Sequence, residues 1–117
     1  MEIGETVVAA LTREVFEETG ITVAVRRLVS VCSNIKRENA SVPTKLMLDF
    51  RAEYVRGETT PGSEHLEVGW FDRDEALDKV LLLVIRDRIE TLLNFTGRVT
   101  YRAYSKDPYE VHTDCLV

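Results

Sequence analysis

The stretch that decides the fold lies at residues 13–21 and reads Arg-Glu-Val-Phe-Glu-Glu-Thr-Gly-Ile. On a helix, where successive side chains are turned by about 100°, Glu14, Glu17 and Glu18 share one side. Like charges at this spacing destabilise a helix by roughly 0.2–0.5 kcal/mol per pair, so a helix that needs only solubility would place lysines among them. Three carboxylates facing one way suit a hard divalent cation, which takes oxygen ligands. Taken alone, the cluster is still more typical of a solvated acidic helix face.

Local signals around this stretch predict a helix from Thr6 to Thr19. Thr6 is a suitable N-cap, although no Glu or Gln completes a capping box three residues later. Gly20 occupies the position that favours a left-handed conformation after a helix. The apolar stripe that we expect to face the core consists of Val8, Leu11 and Val15.

The rest of the chain alternates between strand-like and helix-like patterns. Strands are predicted at 21–31, 44–55, 66–71 and 98–104. Helices are predicted at 73–79, after an Asp72 cap, and at 81–95, with Gly97 closing the second. One face of the second strand carries Leu46, Leu48, Phe50, Ala52 and Tyr54, and the opposite face carries Lys45, Met47, Asp49, Arg51 and Glu53. The tail from Ser105 shows little pattern. The alternation of strands with helices predicts an α/β domain whose sheet is covered on both faces.

Length and composition limit the classes of function. A chain of 117 residues is one domain of ordinary size. Its formal net charge of −5 provides no basic surface for nucleic-acid backbone, whereas it suits a protein that recruits cations. The two cysteines, Cys32 and Cys115, match no zinc or redox spacing and are predicted to be free thiols. We find neither a signal peptide nor an apolar run of membrane-spanning length, so the expected location is the cytoplasm.

The spacing of the acidic stretch and its flanks resembles the Nudix box. The family pattern is Gly, five residues, Glu, seven residues and then Arg-Glu-aliphatic-any-Glu-Glu-any-Gly-aliphatic. The matching positions here are Glu5, Arg13, Glu14, Val15, Glu17, Glu18, Gly20 and Ile21. Farther along, Trp70-Phe71-Asp72 followed by a short helix is also similar to the family. The resemblance implies a Nudix-like α/β/α sandwich with a mixed sheet.

One position of the box is missing, because its first Gly would fall before Met1. The strands that precede the box in the family are also absent from this sequence, so we expect residues 1–117 to form a single, N-terminally shortened Nudix-like domain. Either the strand at 98–104 or a partner chain could fill the gap in the sheet. Because an open sheet edge invites association, a homodimer is one expected state.

The resemblance implies a metal-dependent pyrophosphohydrolase acting on a nucleoside diphosphate linked to another moiety. Mg²⁺ or Mn²⁺ would be held by Glu14, Glu17 and Glu18, with Glu17 also serving a second ion or the attacking water. Family members often bring a further glutamate from the loop before the Trp-Phe pair. Here Glu64 is the first candidate for this general base and Glu67 the second, although each alone would more often be a surface carboxylate.

Several other residues each allow two interpretations of their role. Arg13 either forks onto a carboxylate such as Glu5 and so orients Glu14, or is a plain surface arginine; the resemblance favours the first. Trp70 and Phe71 could stack on a base, but core packing is the better expectation. Lys36 and Arg37 could touch a phosphate or lie in a solvated loop.

The function also has alternatives. Without the strands before the box, the chain could be a non-catalytic nucleotide-binding or regulatory module. It could also be a strand-exchanged dimer with no activity as a lone chain. In every case the expected ligand is a small molecule derived from a nucleotide, and neither nucleic acid nor membrane is an expected partner.

Overall fold

The computed structural model describes residues 1–35, 44–60 and 68–117. In these residues the elements are α1 (Val7–Thr19), β1 (Thr22–Asn34), β2 (Lys45–Arg56), α2 (Arg73–Lys79), α3 (Leu83–Leu93), β3 (Thr100–Ser105) and β4 (Glu110–Leu116). The strands form one sheet in the order β2-β1-β3-β4, in which β3 runs parallel to β1 and antiparallel to β4. The predicted α/β class with a mixed sheet is confirmed.

The chain divides into two compact units. The first comprises Met1–Arg27 and Arg51–Phe71 and contains α1, the beginning of β1 and the end of β2. The second comprises Leu28–Phe50 and Asp72–Val117 and contains the remaining elements.

In the first unit, α1 begins and ends where its capping residues predict. The Thr6 hydroxyl oxygen accepts a hydrogen bond of 3.0 Å from the backbone N–H of Ala9. Gly20 adopts a left-handed conformation with φ 82°, and its N–H donates to the carbonyl of Phe16. The predicted core stripe is only partly correct, because Val8 is exposed and Ala10 is the buried residue of the helix. Helical spacing shows which residues share a side, whereas the neighbouring segments decide which side is covered.

The C-terminal end of α1 is closely packed against the segment that follows β2. A Cβ added to Gly20 would lie 2.4 Å from the Thr60 side-chain oxygen and 2.8 Å from the carbonyl oxygen of Glu58. A Cβ added to Gly57 would lie 2.6 Å from the carbonyl oxygen of Gly20. The backbone N–H of Thr60 also donates to the carbonyl of Thr19 at 2.7 Å. Both glycines therefore serve close backbone approach as well as the turn.

We expect Gly20→Ala to destabilise the protein by about 2–3 kcal/mol, because it adds both a left-handed strain and a steric clash. Gly4→Ala is the matched control, since Gly4 has φ 83° and no atom within 4 Å of an added Cβ. The control should cost about 1 kcal/mol from conformational strain alone. Urea unfolding of both variants measures the difference, and equal losses would contradict the close packing at Gly20.

The core of the second unit consists of Cys32, Val84 and Tyr104, with Met47, Ile85 and Tyr109 packed against it. Cys32 and Cys115 are free cysteines, as predicted, and burial raises the pKa of the Cys32 thiol. The rings of Tyr104 and Tyr109 meet edge to face with their centroids 5.6 Å apart. The Tyr109 hydroxyl donates to Asp87 at 2.6 Å, so the polar end of this partly buried aromatic has a partner.

In the second unit, the covered side chains of β2 include Met47 and Asp49 rather than the two leucines that alternate with them. Leu46 and Leu48 are exposed, whereas Met47 packs against the core and the side chain of Asp49 is only 18% exposed. Asp49 accepts hydrogen bonds from Arg88 Nε at 2.8 Å and from the Ser30 hydroxyl at 3.0 Å. Because these partners satisfy the carboxylate, a polar residue can occupy the inward position and two leucines can face outward.

Four other expectations about the elements are also corrected. β1 extends to Asn34, three residues beyond its predicted end, and α3 ends at Leu93 rather than at residue 95. Residues 68–71 form no strand; the rest of that predicted strand, at 66–67, lies outside the described residues. The tail, for which little pattern gave no predicted element, contains β4, whose seven residues are all exposed. Backbone pairing with β3 holds an edge strand of this kind, so an apolar alternation is not needed to form it.

The helices of the described segments include none that is both long and apolar enough to cross a membrane.

Candidate functional site

The residue pair Glu5 and Arg13 forms a two-pronged ion pair in the first unit. Arg13 Nε donates to Glu5 Oε1 at 2.7 Å, and the second nitrogen, Nη2, donates to Glu5 Oε2 at 3.2 Å. The backbone N–H of Glu2 donates to the same carboxylate at 2.8 Å. Of the two arrangements that the sequence left open for Arg13, the structure shows the fork. This fork connects the loop before α1 to the middle of the helix.

The ion pair changes the acidity of Glu5. The hydrogen bond from Arg13, followed by the one from the backbone of Glu2, lowers the pKa of Glu5 to about 2. In turn, the hydrogen bond to Glu5 raises the pKa of Arg13. Because the pKa of Glu5 is depressed in the folded state, its contribution to stability is present above the unfolded pKa of about 4.3 and is lost as the pH falls through about 2.

We therefore expect the side-chain carboxyl resonance of Glu5 to titrate with a midpoint near pH 2 in a carbon-detected NMR experiment. In Arg13→Gln the same resonance should titrate near the ordinary glutamate value of about 4.3, since the largest cause of the shift has been removed. A wild-type midpoint near the ordinary value would show that the fork does not persist in solution.

The glutamates of the acidic stretch gather around the same arginine. The third nitrogen of Arg13, Nη1, donates to Glu17 at 3.0 Å, and Nη2 lies 3.7 Å from a carboxylate oxygen of Glu14. The side chains of Glu14 and Glu17 are 48% and 57% exposed, and Glu18 is exposed as well. Arg13 thus contacts carboxylates on the loop and on two successive helical turns.

The ligand atoms that the three glutamates offer suit a hard divalent cation. Glu14, Glu17 and Glu18 offer only carboxylate oxygens, which Mg²⁺ and Mn²⁺ prefer. In the part of the chain that the structure describes, no three His, Cys, Asp or Glu side chains are already arranged as a metal cluster. Because the side chains of Glu14 and Glu17 are exposed, they have room to change rotamer. Arg13 also keeps its partner Glu5 when Glu17 turns away, so its guanidinium is not left unpaired.

Four residues singled out from the sequence lie outside the described residues. Glu64 and Glu67, the candidates for a general base, belong to the undescribed range 61–67, and Lys36 and Arg37 belong to 36–43. The assignment of a general base therefore stays a prediction. Gly20, predicted to support the site, ends the helix that carries all three glutamates.

Trp70 and Phe71 do not pack in a core as expected. Trp70 is 65% exposed and Phe71 is exposed as well. The physical reason is that residues 68–71 form no strand, so no sheet face covers them. Trp70 instead meets Tyr54 edge to face, with ring centroids 5.4 Å apart. The contact was not predicted from the sequence because Tyr54 and Trp70 are sixteen positions apart, one in β2 and the other outside any helix or strand. The strand pattern around Tyr54 was the only sequence feature that pointed to either residue's place in the fold.

Comparisons with known proteins agree with the resemblance. The model of the NUDIX domain family matches residues 1–95. Curated relatives named NAD-capped RNA hydrolase NudC are 39% identical over 75 residues in Pseudomonas aeruginosa (strain LESB58) and 36% identical over 81 residues in Haemophilus influenzae (strain PittGG). These matches cover 63% and 68% of this chain but only 25% and 28% of the relatives. The matched region thus spans about a quarter of their length.

Solved structures show the same likeness over more of the chain. A mutator MutT protein from Bacillus halodurans superposes with a TM-score of 0.78 at 28% identity, covering 99% of this chain and 76% of that one. A NUDIX hydrolase from Nitrosomonas europaea superposes with a TM-score of 0.69 at 27% identity, covering 90% of this chain and 59% of that one.

Proposed function

Since this chain belongs to the NUDIX domain family, we propose that it is a metal-dependent pyrophosphohydrolase acting on a nucleoside diphosphate linked to another moiety. Water attacks one phosphorus of the anhydride, the bond from that phosphorus to the bridging oxygen breaks, and a nucleoside monophosphate and the phosphorylated second moiety leave. We further propose that residues 1–117 form a single domain that acts in the cytoplasm.

The observation that carries the proposal is the set of carboxylates around Arg13. Glu14 and Glu17 lie beside the guanidinium, which is itself held by Glu5. A pyrophosphate is polyanionic and is repelled by an acidic helix, so a reaction here requires a cation between them. Mg²⁺ or Mn²⁺ held by Glu14, Glu17 and Glu18 would neutralise the anhydride and lower the pKa of a water molecule.

The residues of this chain contribute positioning and proton transfer. Arg13 holds the loop against α1 through Glu5 and orients Glu17 through a separate nitrogen. In the proposed roles, Glu17 also faces the attacking water, and Glu64, with Glu67 as the alternative, accepts its proton. Gly20 sets the end of the helix on which these carboxylates stand.

We expect Arg13→Lys to lower kcat/KM about 10- to 100-fold, because outer partners of metal ligands have effects of this size. A lysine has one nitrogen and cannot bind Glu5 and Glu17 in the two-pronged geometry. The Mg²⁺ concentration for half-maximal activity should rise at the same time. Arg26→Lys is the matched control, since Arg26 pairs with Glu53 at 3.2 Å in an exposed position of the same unit. An equal effect of the two variants would contradict the role of Arg13.

A panel of substrates tests the proposed function. It should include NAD, ADP-ribose, nucleoside diphosphate sugars and dinucleoside polyphosphates, with products separated by ion-exchange chromatography. NAD-capped RNA belongs in the panel because the NudC relatives carry that substrate in their name. The net charge of −5 favours the small nucleotides, since contacts to an RNA backbone need basic side chains. Turnover should require Mg²⁺ or Mn²⁺ and stop with EDTA; the absence of turnover on every substrate, or turnover unaffected by EDTA, would refute the proposal.

A second candidate function is a nucleotide-binding module, or a strand-exchanged dimer, with no activity as a lone chain. This candidate is favoured by the exposure of Leu46 and Leu48 on β2, which is an edge strand of the described sheet. Exposed edge strands associate with other chains. Light scattering together with activity at several protein concentrations separates the candidates. An inactive dimer that still binds nucleotide supports the second candidate.

A further inference from the structure

An exposed pair of aromatic side chains lies in the same unit as the carboxylate helix. Tyr54 is 54% exposed and Trp70 is 65% exposed, and their rings meet edge to face at an interplanar angle of 86°. In this arrangement the edge of one ring touches the other, so flat aromatic surface stays accessible to a ligand. Tyr and Trp have an apolar body and a polar end, which suits them to partly hydrated binding surfaces.

The pair is held in place and connected to α1 by direct contacts. The Tyr54 hydroxyl donates to the carbonyl oxygen of Gly57 at 2.7 Å, which fixes the ring. Gly57 approaches the backbone of Gly20 so closely that a side chain would not fit. Gly20 is the residue that ends α1, two positions after Glu18. A short series of contacts therefore leads from the aromatic pair to the end of the helix that carries the proposed metal ligands.

We propose that Tyr54 and Trp70 form a stacking platform for the nucleobase of the substrate, an inference that rests on the proposed function. Bases stack on aromatic side chains without strong preference, because every base has a π-face. The hydroxyl of Tyr54 holds its ring before binding, which reduces the conformational entropy lost when a base is added. Arg56 lies two residues after Tyr54 and hence on the same face of β2, where it adds positive charge for a phosphate.

Intrinsic fluorescence tests the platform without any requirement for catalysis. Trp70 is the single tryptophan of the chain, so its emission reports directly on the pair. The protein is titrated in EDTA with adenosine monophosphate or with ribose 5-phosphate, which lacks the base, and excited at the red edge of tryptophan absorption where adenine is transparent. We expect saturable quenching by adenosine monophosphate only, and about tenfold weaker binding in Tyr54→Leu. Unchanged emission, or equal quenching by ribose 5-phosphate, would overturn the inference.

Kinetics supply a second, independent measurement. Trp70→Ala should raise KM for a nucleoside diphosphate derivative about tenfold and change kcat by less than about twofold, since stacking acts on binding rather than on the chemical step. Trp70→Phe should restore most of the affinity. Leu81→Ala removes another highly exposed apolar side chain and should have no effect on KM. Circular dichroism and thermal unfolding show whether each variant is folded.

The outcomes separate this inference from the proposed function. If the wild type hydrolyses nucleotides and Trp70→Ala leaves KM unchanged, the platform is refuted and the hydrolase stands. If no substrate is hydrolysed but adenosine monophosphate quenches Trp70 through Tyr54, the hydrolase is refuted and base stacking stands.

Discussion

Glu18→Gln is expected to lower kcat/KM on a nucleoside diphosphate derivative by about two to three orders of magnitude. Glutamine keeps the shape and hydrogen-bonding capacity of glutamate but removes its negative charge, which is what a divalent cation binds. Arg13 donates directly to Glu17, so Glu17→Gln would change an ion pair and a proposed metal ligand together. Glu18 lies four residues after Glu14, a spacing that allows both carboxylates to hold one ion.

The matched control is Glu90→Gln, which changes an exposed helical glutamate of α3 in the second unit. It should leave kcat/KM unchanged. Calorimetric titration with Mn²⁺ should show weakened binding in Glu18→Gln alone, while the melting temperatures of both variants stay close to that of the wild type. Activity of Glu18→Gln equal to that of the control, with unchanged Mn²⁺ affinity, would remove Glu18 from the site.

Asp49→Ala is expected to destabilise the protein by about 2–3 kcal/mol, because it leaves the largely buried guanidinium of Arg88 without its carboxylate partner. The side chains of Asp49 and Arg88 are only 18% and 23% exposed. Arg88 donates to both oxygens of Asp49 and also contacts the sulfur of Met47, and Ser30 donates to the same carboxylate. A guanidinium stays protonated in proteins, so Arg88 cannot lose its charge when Asp49 is removed.

Two comparisons define the expected result for Asp49. Glu53→Ala breaks the exposed Arg26–Glu53 pair, whose side chains are 56% and 58% exposed, and should cost at most about 0.5 kcal/mol. The double variant Asp49→Leu with Arg88→Leu should recover much of the stability lost in Asp49→Ala, since no charge is left unpaired. Urea unfolding measures all three free energies. A loss in Asp49→Ala no larger than that in Glu53→Ala would show that the buried pair does not stabilise the second unit.

Local chemistry made much of the helical structure predictable. Thr6 caps the beginning of α1 and Gly20 caps its end. Asp72 caps α2 by accepting a hydrogen bond from the backbone N–H of Glu75 at 2.9 Å. These signals act within one helical turn, so they do not depend on the rest of the fold. The order of strands and helices was sufficient for the α/β class, and the resemblance to the family implied the mixed sheet. The spacing from Glu5 to Ile21 was sufficient for the family and for the identity of the candidate metal ligands.

Other features depend on partners that are distant in sequence. The alternation in β2 divided the strand into two faces but did not decide which side chains are covered; Arg88 and Ser30 satisfy Asp49 and so allow it to point inward. β4 lies in a tail with little pattern, and backbone hydrogen bonds to β3 hold it as an edge strand. The exposure of Trp70 likewise followed from the absence of a strand at 68–71.

The candidate site also combines features that the sequence determined with features that depend on distant residues. By itself, the sequence determined which chemistry is available: three carboxylates on one helix, an arginine at a fixed spacing, and a glycine that ends the helix. Tertiary structure alone decided that Arg13 is held by Glu5 while it contacts Glu14 and Glu17, and that Tyr54 and Trp70 meet near the end of that helix. The physical reason is range, because capping and helical spacing act over a few residues, whereas ion pairs and ring contacts require the chain to bring distant residues together.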